Sequence, residues 1–534
     1  MIEQLQHYLT RSAHRRPDAG ALIMKGERRT YGDVEVDTNR FAHLLRGMGC
    51  REGSRVGVLA AKAPATVAGL LAVLKAGGIY VPIDSACPTE RVARIIAASE
   101  PDLVLVDDAG AAVVDGLIEA GVLDVKATPV GSVSGDLAAR CFTTSFRWDD
   151  AQSFSVEPPA VNRRADDVAH LLFTSGSTGT PKGVMITHAN VVAFVEWAVD
   201  HFGIRDNDRM SGHPPLHFDL STFDIYGTLA AGAELHLVPG GLNMNPRAIA
   251  ALIRDSELTQ WFSVPSMLTY LTKFNAIQQD DFPALERLLW CGEVLPTPVL
   301  AHCMRLLPHV RFTNLYGPTE ATIASSYHTV DRVPSDETIP VPIGTACTGE
   351  KLHILGSDLE PIEPGEIGDL FISGVGLSPG YWRDEKKTAA AFTMQRDGLR
   401  IYRTGDLARC GRDGVVQFLG RTDSQIKSRG YRIELGEIEV AVNATSEVRE
   451  CAVVGVDLSG FEGVTICCAY SVRDGESLPP AALRSAISRL LPAYMLPTRW
   501  SELADLPKNV NGKLDRDVLK KRFLQELTRT RRVS

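Results

Sequence analysis

Val56-Gly57-Val58-Leu59-Ala60 is an apolar run of strand length. After it, Val67 to Lys75 carries a helical apolar pattern that Gly77-Gly78 stops, and Ile79-Tyr80-Val81-Pro82-Ile83 is a second strand-like run. Arg91 to Ala98 is helical again, and Leu103-Val104-Leu105-Val106 is a third apolar run. Strands separated by helices of this length predict βαβ units and a largely parallel sheet.

Working outward, Ile2, Leu5 and Leu9 repeat at helical spacing before this unit. Beyond it, Thr128 to Asp166 is polar and less periodic, which suggests loops or edge strands. Alternation resumes at Val168 and runs to about Val330. From Leu352 to Phe371 short apolar runs between Pro/Gly turns predict a smaller β-rich layer, and a new βα pattern begins after Gly420. With no internal repeat and no Gly/Ser linker, any boundary near residue 422 is expected to be a short hinge. The basic tail (Arg529, Arg531, Arg532) reads most simply as a frayed, solvated end.

The 534 residues exceed a single ordinary domain, and 44% hydrophobic with 23% charged residues is a globular balance. Fifty-six basic against 65 acidic residues leave a net charge of -9, which argues against nonspecific nucleic-acid binding. No apolar run approaches the roughly 18–20 residues of a membrane helix. The N-terminus lacks a signal pattern. Ten scattered cysteines with no CxxC pair suggest neither a zinc site nor a disulfide framework. The expectation is a soluble cytoplasmic protein.

The strongest chemical signal is Leu171-Leu172-Phe173-Thr174-Ser175-Gly176-Ser177-Thr178-Gly179-Thr180-Pro181-Lys182-Gly183. An apolar strand enters a loop of hydroxyls and glycines, then Lys182, then the strand Val184-Met185-Ile186. Glycines let backbone N–H groups converge on an anion, hydroxyls add donors, and Lys182 adds charge. Pro181 stands where a GxxxxGK(S/T) phosphate loop needs its second glycine, so a kinase or NTPase reading fails. An ordinary turn is the plain alternative, and the density of hydroxyls, glycines and lysine weighs against it. A second signal is Asn314-Leu315-Tyr316-Gly317-Pro318-Thr319-Glu320, with a planar ring before a Gly-Pro turn and a hard oxygen ligand after it. The others are Tyr402-Arg403-Thr404-Gly405-Asp406, the run Gly420 to Lys427, the run Arg429 to Glu439, and Asn511-Gly512-Lys513.

Together, in this order, the motifs resemble the adenylate-forming superfamily of acyl-CoA synthetases, luciferases and the amino-acid adenylation domains of nonribosomal peptide synthetases. The resemblance covers the chain from Arg16-Pro17-Asp18 through Lys513, and the runs Leu74 to Asp84 and Ile433 to Glu439 match the amino-acid-activating branch. It implies an α/β protein: a large N-terminal domain (1–421) of mixed and parallel sheets with helices plus a β-rich layer, and a small mobile C-terminal α+β domain (424–534). Asp423 falls at the hinge, near 422–424.

The resemblance also implies roles. Thr174, Ser175, Gly176, Ser177, Thr178, Gly179 and Lys182 would handle the phosphates of ATP, with Gly292 and Glu293 among the nucleotide positions. Tyr316 would stack on adenine, Thr319 contact phosphate, and Glu320 hold Mg²⁺. Asp406 would bind the ribose hydroxyls with Arg421 beside it. Lys513 would bridge the substrate carboxylate and the α-phosphate, two anions that repel unless neutralised.

Phe218-Asp219-Leu220-Ser221 matches the FDxS core of the amino-acid branch, in which the Asp pairs with the substrate ammonium. A carboxylate in an apolar pocket selects amines over plain fatty acids. A turn or capping role for Asp219 is the plain alternative. The remaining pocket positions implied are Leu220, Phe223, Ser263, Leu289, Cys291, Leu315, Gly317, Ile323 and Ala324. None is an Arg or Lys and none is a further acid, so the substrate side chain is expected to be small or apolar, with Leu220 and Phe223 shortening the pocket. The stretch His217 to Gly227 looks like stand-alone enzymes that load β-amino acids in macrolactam biosynthesis. The favoured substrate is therefore a short β-amino acid such as 3-aminobutanoate; proline, alanine or valine is the alternative.

No carrier-protein segment follows Lys513 and no HHxxxDG motif precedes the core, so the expected acceptor is the phosphopantetheine thiol of a separate acyl or peptidyl carrier protein. An acyl-CoA or aryl-acid ligase is disfavoured by Asp219. A non-catalytic nucleotide-binding adaptor predicts losses at Glu320, Asp406 or Lys513, and all three are present. Cys291 reads as a small pocket residue rather than a nucleophile.

Overall fold

The computed structural model describes residues 2–134, 137, 140–176, 179–457, 464–473, 478–508 and 514–531. Among these residues one sheet has seven strands, in the order Phe146–Arg147, Val130–Ser132, Leu103–Val106, Arg55–Leu59, Ile79–Pro82, Val168–Thr174, Lys182–Thr187. All its neighbours are parallel except the last pair. The helix read from Val67 starts at Pro64, because proline has its φ preset and its missing N–H is not needed in the first turn. The polar stretch after Thr128 supplies two short strands at one side of this sheet, of which Phe146–Arg147 is the edge.

A second sheet of nine strands carries the site. Its centre runs Arg311–Tyr316, Arg287–Cys291, Gln260–Ser263, Arg209–Gly212, Glu234–Leu237, all parallel, with antiparallel strands at both rims. Apolar residues of both sheets and the helices around them join one cluster that includes Phe41, Leu71, Tyr226, Phe262 and Leu315. The β-rich layer is an antiparallel sheet of Glu350–Leu355, Ile367–Gly374, Phe392–Met394, Arg400–Cys410 and Val416–Arg421.

After this layer come the hairpin Gln425–Ser428/Tyr431–Glu434, the helix Leu435–Asn443, and a sheet of Val448–Asp457, Val464–Val472 and Arg499–Glu502 flanked by Pro480–Ile487 and Arg516–Arg531. This smaller domain packs its own apolar cluster, built from residues such as Ile433, Ile438, Val453, Tyr470 and Ile487. The large α/β domain and small C-terminal domain expected from the sequence are both present. Among the described residues no helix is long and apolar enough to cross a membrane.

Candidate active site

Parallel strands place loops, and hence ligand groups, at their carboxyl ends. Here the strand Arg209–Gly212 leads to Asp219, Gln260–Ser263 ends at Ser263, Arg287–Cys291 runs into Gly292, and Arg311–Tyr316 runs into Gly317. A cavity of about 110 Å³ lies at these ends. Phe218, Asp219, Leu220, Cys291, Gly292, Gly317 and Thr319 line it, with Thr174 and Ser175 from the other sheet and Asp406 and Arg421 from the β-rich layer.

Asp219 precedes the helix Leu220–Ala231, yet its side chain makes no capping bond, so the capping alternative fails. Instead its carboxylate accepts a 2.8 Å hydrogen bond from the Thr319 hydroxyl. Desolvation pushes its pKa up to about 6, against the pull of Thr319 and of Lys427. A carboxylate so placed gains from an incoming cation.

Tyr316, at the end of its strand, donates its hydroxyl to Asp406. Arg421 also donates to Asp406, and its other nitrogens fork onto Asp423 at 2.8 and 2.7 Å. Asp406 and the expected hinge residue Asp423 thus share one guanidinium, with Tyr316 on the other oxygen of Asp406. Gly405 makes this approach feasible: a Cβ there would sit 2.7 Å from Arg421 Nη2, and its φ is +75°.

Glu320 is fully buried. Tyr381 donates to one carboxylate oxygen at 2.7 Å and Arg432 to the other at 2.6 Å. Burial works to raise its pKa, but the Arg432 charge and the Tyr381 hydroxyl outweigh it and hold Glu320 below the usual carboxylate range. The donor type, an ionised hard oxygen, fits the Mg²⁺ expected there, but both oxygens are engaged and lie behind the cavity lining, so holding the ion would require Arg432 to give way. Arg432 now supplies the compensating positive charge.

The anion loop closes between paired strands, with Thr174 opposite Lys182. A Cβ on Gly176 would lie 2.1 Å from the Thr180 carbonyl oxygen, so only glycine allows this turn. Ser175 donates to the Arg432 carbonyl at 2.7 Å, and the Lys182 ammonium stands 5.5 Å from the Tyr381 ring centre. Ser177 and Thr178 lie outside the described residues, as does Lys513.

Glu293 accepts from the backbone N–H of Gly430 at 2.7 Å and of Ser266 at 3.1 Å. It therefore grips the C-terminal hairpin. Of the other expected pocket residues Gly317 lines the cavity, while Phe223, Ser263, Leu289, Leu315, Ile323 and Ala324 stand behind it. Phe223 packs edge-on against Phe194 and Phe262. Ser263 accepts from Trp261 at 2.9 Å. Leu289, Leu315, Ile323 and Ala324 are buried in the same wall. Gly317 is packed so closely that a Cβ would come within 2.5 Å of the Ala324 backbone.

Sequence reasoning named Arg421 at the nucleotide site but missed three other cations. Arg91, Lys427 and Arg432 also line the cavity. The docked hairpin brings in the last two. Lys427 lies 5.7 Å from the ring centre of Tyr316, the residue expected to stack on adenine. Arg91 pairs with Glu437 at 2.5 Å in a buried bridge between the two domains, and Tyr431 stacks on Tyr494 at 3.5 Å while meeting Phe218 edge-on. Arg432 and Lys427 belong to quoted motifs; for Tyr381 and Arg91 no local signal existed.

Known proteins match this arrangement. The family described as AMP-binding enzyme covers residues 9–382, and the AMP-binding enzyme C-terminal domain covers residues 437–513. An L-proline--[L-prolyl-carrier protein] ligase of Streptomyces coelicolor is 37% identical over 91% of this chain and 90% of that protein. A ligase of the same description from Pseudomonas fluorescens is 33% identical over 97% and 98%. The adenylation domain AlmE of Vibrio cholerae, solved with glycyl-adenosine-5'-phosphate, superposes with a TM-score of 0.84 at 25% identity, covering 98% of both chains.

Proposed function

The chain belongs to the AMP-binding enzymes, the adenylate-forming superfamily, and from that premise we propose that it activates a small amino acid with ATP and passes it to a separate carrier protein. A substrate carboxylate oxygen bonds to the α-phosphorus of ATP and pyrophosphate leaves. The carrier thiol then bonds to the acyl carbon, AMP leaves, and the thiol proton passes to solvent. The observation that carries the amino-acid reading is Asp219, a desolvated carboxylate that lines the cavity and accepts the Thr319 hydroxyl.

In this reading Asp219 pairs with the substrate ammonium and Lys513 neutralises the two reacting anions. Glu320 would hold the Mg²⁺ that accompanies ATP, which offsets phosphate charge. Asp406 and Arg421 take the ribose, and Tyr316 the adenine. The division into 1–421 and 424–534 about a hinge at 422–424 belongs to the same proposal. It is supported by the separate apolar cluster of the smaller domain and by the grip of Arg421 on Asp423. A cytoplasmic site of action follows from the cytosolic supply of ATP and carrier protein this reading needs.

For the substrate we favour a short β-amino acid such as 3-aminobutanoate, on the likeness of His217 to Gly227 and on Leu220, which lines the cavity beside Asp219. Proline is the second reading, because the two ligases above are described as acting on it. Amino-acid-dependent pyrophosphate release with paired isomers separates them: alanine with 3-aminopropanoate, 2-aminobutanoate with 3-aminobutanoate, then proline, valine and butanoate. Highest turnover with 3-aminobutanoate supports the β-amine reading; highest turnover with proline or another α-isomer overturns it and keeps the chemistry.

A further inference from the structure

Lys62 lies in the turn between the strand Arg55–Leu59 and the helix Pro64–Lys75, in the other sheet from Asp219. Its ammonium donates to three successive carbonyl oxygens, those of Gly212, His213 and Pro214, at 2.5, 2.6 and 3.1 Å. An ammonium has three N–H donors, and all are used. These carbonyls mark the place where the chain leaves the strand Arg209–Gly212 and turns toward Asp219.

The rest of the turn hangs from this point. Pro214 and Pro215 have preset φ, the Phe218 N–H donates to the Pro215 carbonyl at 3.0 Å, and the Ser221 hydroxyl donates to the Phe218 carbonyl at 2.7 Å. Asp224 is buried one helical turn beyond Leu220. Burial raises its pKa well above the usual range, and Lys62 is the charge that opposes the rise. One side chain thus gathers the backbone before Asp219 and faces Asp224 on the helix after it.

We propose that Lys62 is a positioning residue for the amino-acid substrate, setting through the carbonyls of residues 212–214 where the Asp219 carboxylate stands in the cavity. This rests on the reading of Asp219 as the ammonium anchor. A point-like ammonium suits three converging carbonyls, whereas the planar fork of arginine does not. Lys62 touches neither substrate nor nucleotide in this account, so its loss falls on amine recognition.

The test compares Lys62→Met and Lys62→Gln with the parent enzyme in pyrophosphate release, using 3-aminobutanoate, proline, and the deaminated analogues butanoate and cyclopentanecarboxylate. For Lys62→Met the amino-acid KM is expected to rise about tenfold, the ATP KM to stay within about twofold, and the preference for amino acid over deaminated analogue to fall about tenfold. Lys62→Gln keeps two donors and is expected to fall between; it carries the same test if Lys62→Met does not fold. Equal loss toward both substrates, or an unchanged preference for the amine, overturns the role of Lys62. A parent enzyme that itself shows no preference for the amine overturns the Asp219 reading and this proposal with it.

Discussion

The Arg432 guanidinium donates to the Glu320 carboxylate at 2.6 Å, tying the C-terminal hairpin to the turn that follows the strand Arg311–Tyr316. Removing one partner of a buried pair leaves an uncompensated charge, at a cost of about 3–5 kcal/mol, while removing both is far milder. In urea unfolding, Arg432→Gln is therefore expected to be more destabilising than the double variant with Glu320→Gln. Additive single effects would show that the pair is not coupled. The folded Glu320 pKa is depressed, so its contribution is present above the unfolded pKa and is lost as pH falls through the folded one. The gap between the parent and the double variant is expected to close in acid.

Glu320 is also the expected Mg²⁺ holder. Glu320→Gln is expected to slow pyrophosphate release by about 10²–10³-fold, the scale of one preorganised electrostatic group. Its apparent Mg²⁺ requirement is expected to rise as well. A variant with parental rate and Mg²⁺ dependence would move the metal site elsewhere.

Asp219 titrates near neutrality, at about 6. Amine binding needs the ionised form, so the amino-acid KM is expected to be flat above this pH and to rise about tenfold per unit below it, with ATP unaffected. In the ligand-free enzyme the sign for stability is opposite to that of Glu320. A carboxyl whose folded pKa is raised destabilises the fold once pH exceeds its unfolded value. Asp219→Asn is thus expected to raise the melting temperature at pH 7 and to leave it unchanged near pH 3. Equal melting at both pH values would mean that Asp219 is not desolvated.

Leu220 lines the cavity directly beside Asp219 and is almost fully buried. Leu220→Gly is expected to shift preference toward longer side chains, by about tenfold or more per well-filled position. A chain-length profile like that of the parent would show that Leu220 does not cap the pocket.

What the sequence made legible was local. The apolar run Leu103–Val106 is a strand with those bounds, and the hydroxyl-rich loop does sit between paired strands, because period and turn chemistry act over a few residues. Pairings between distant segments were not legible. Arg91 and Glu437 are 346 residues apart, and nothing at either position announces the other. The same holds for Tyr381 on Glu320 and for Lys62 under the 212–214 turn. The expected pocket residues all lie in the large domain. The Phe223 ring sits in an aromatic cluster, and Lys427 and Arg432 enter the cavity lining from the C-terminal hairpin, a placement that only the folded chain shows.

The central claim is that a carboxylate at position 219 makes this an amino-acid-activating enzyme. The most direct measurement is pyrophosphate release by the parent enzyme and by Asp219→Ala, each with 3-aminobutanoate, proline and butanoate. The account predicts that the parent strongly prefers an amine-bearing acid and that the variant loses this preference while still binding ATP. A parent that turns over butanoate as well as its amines, or a variant that keeps the parental preference, would contradict it.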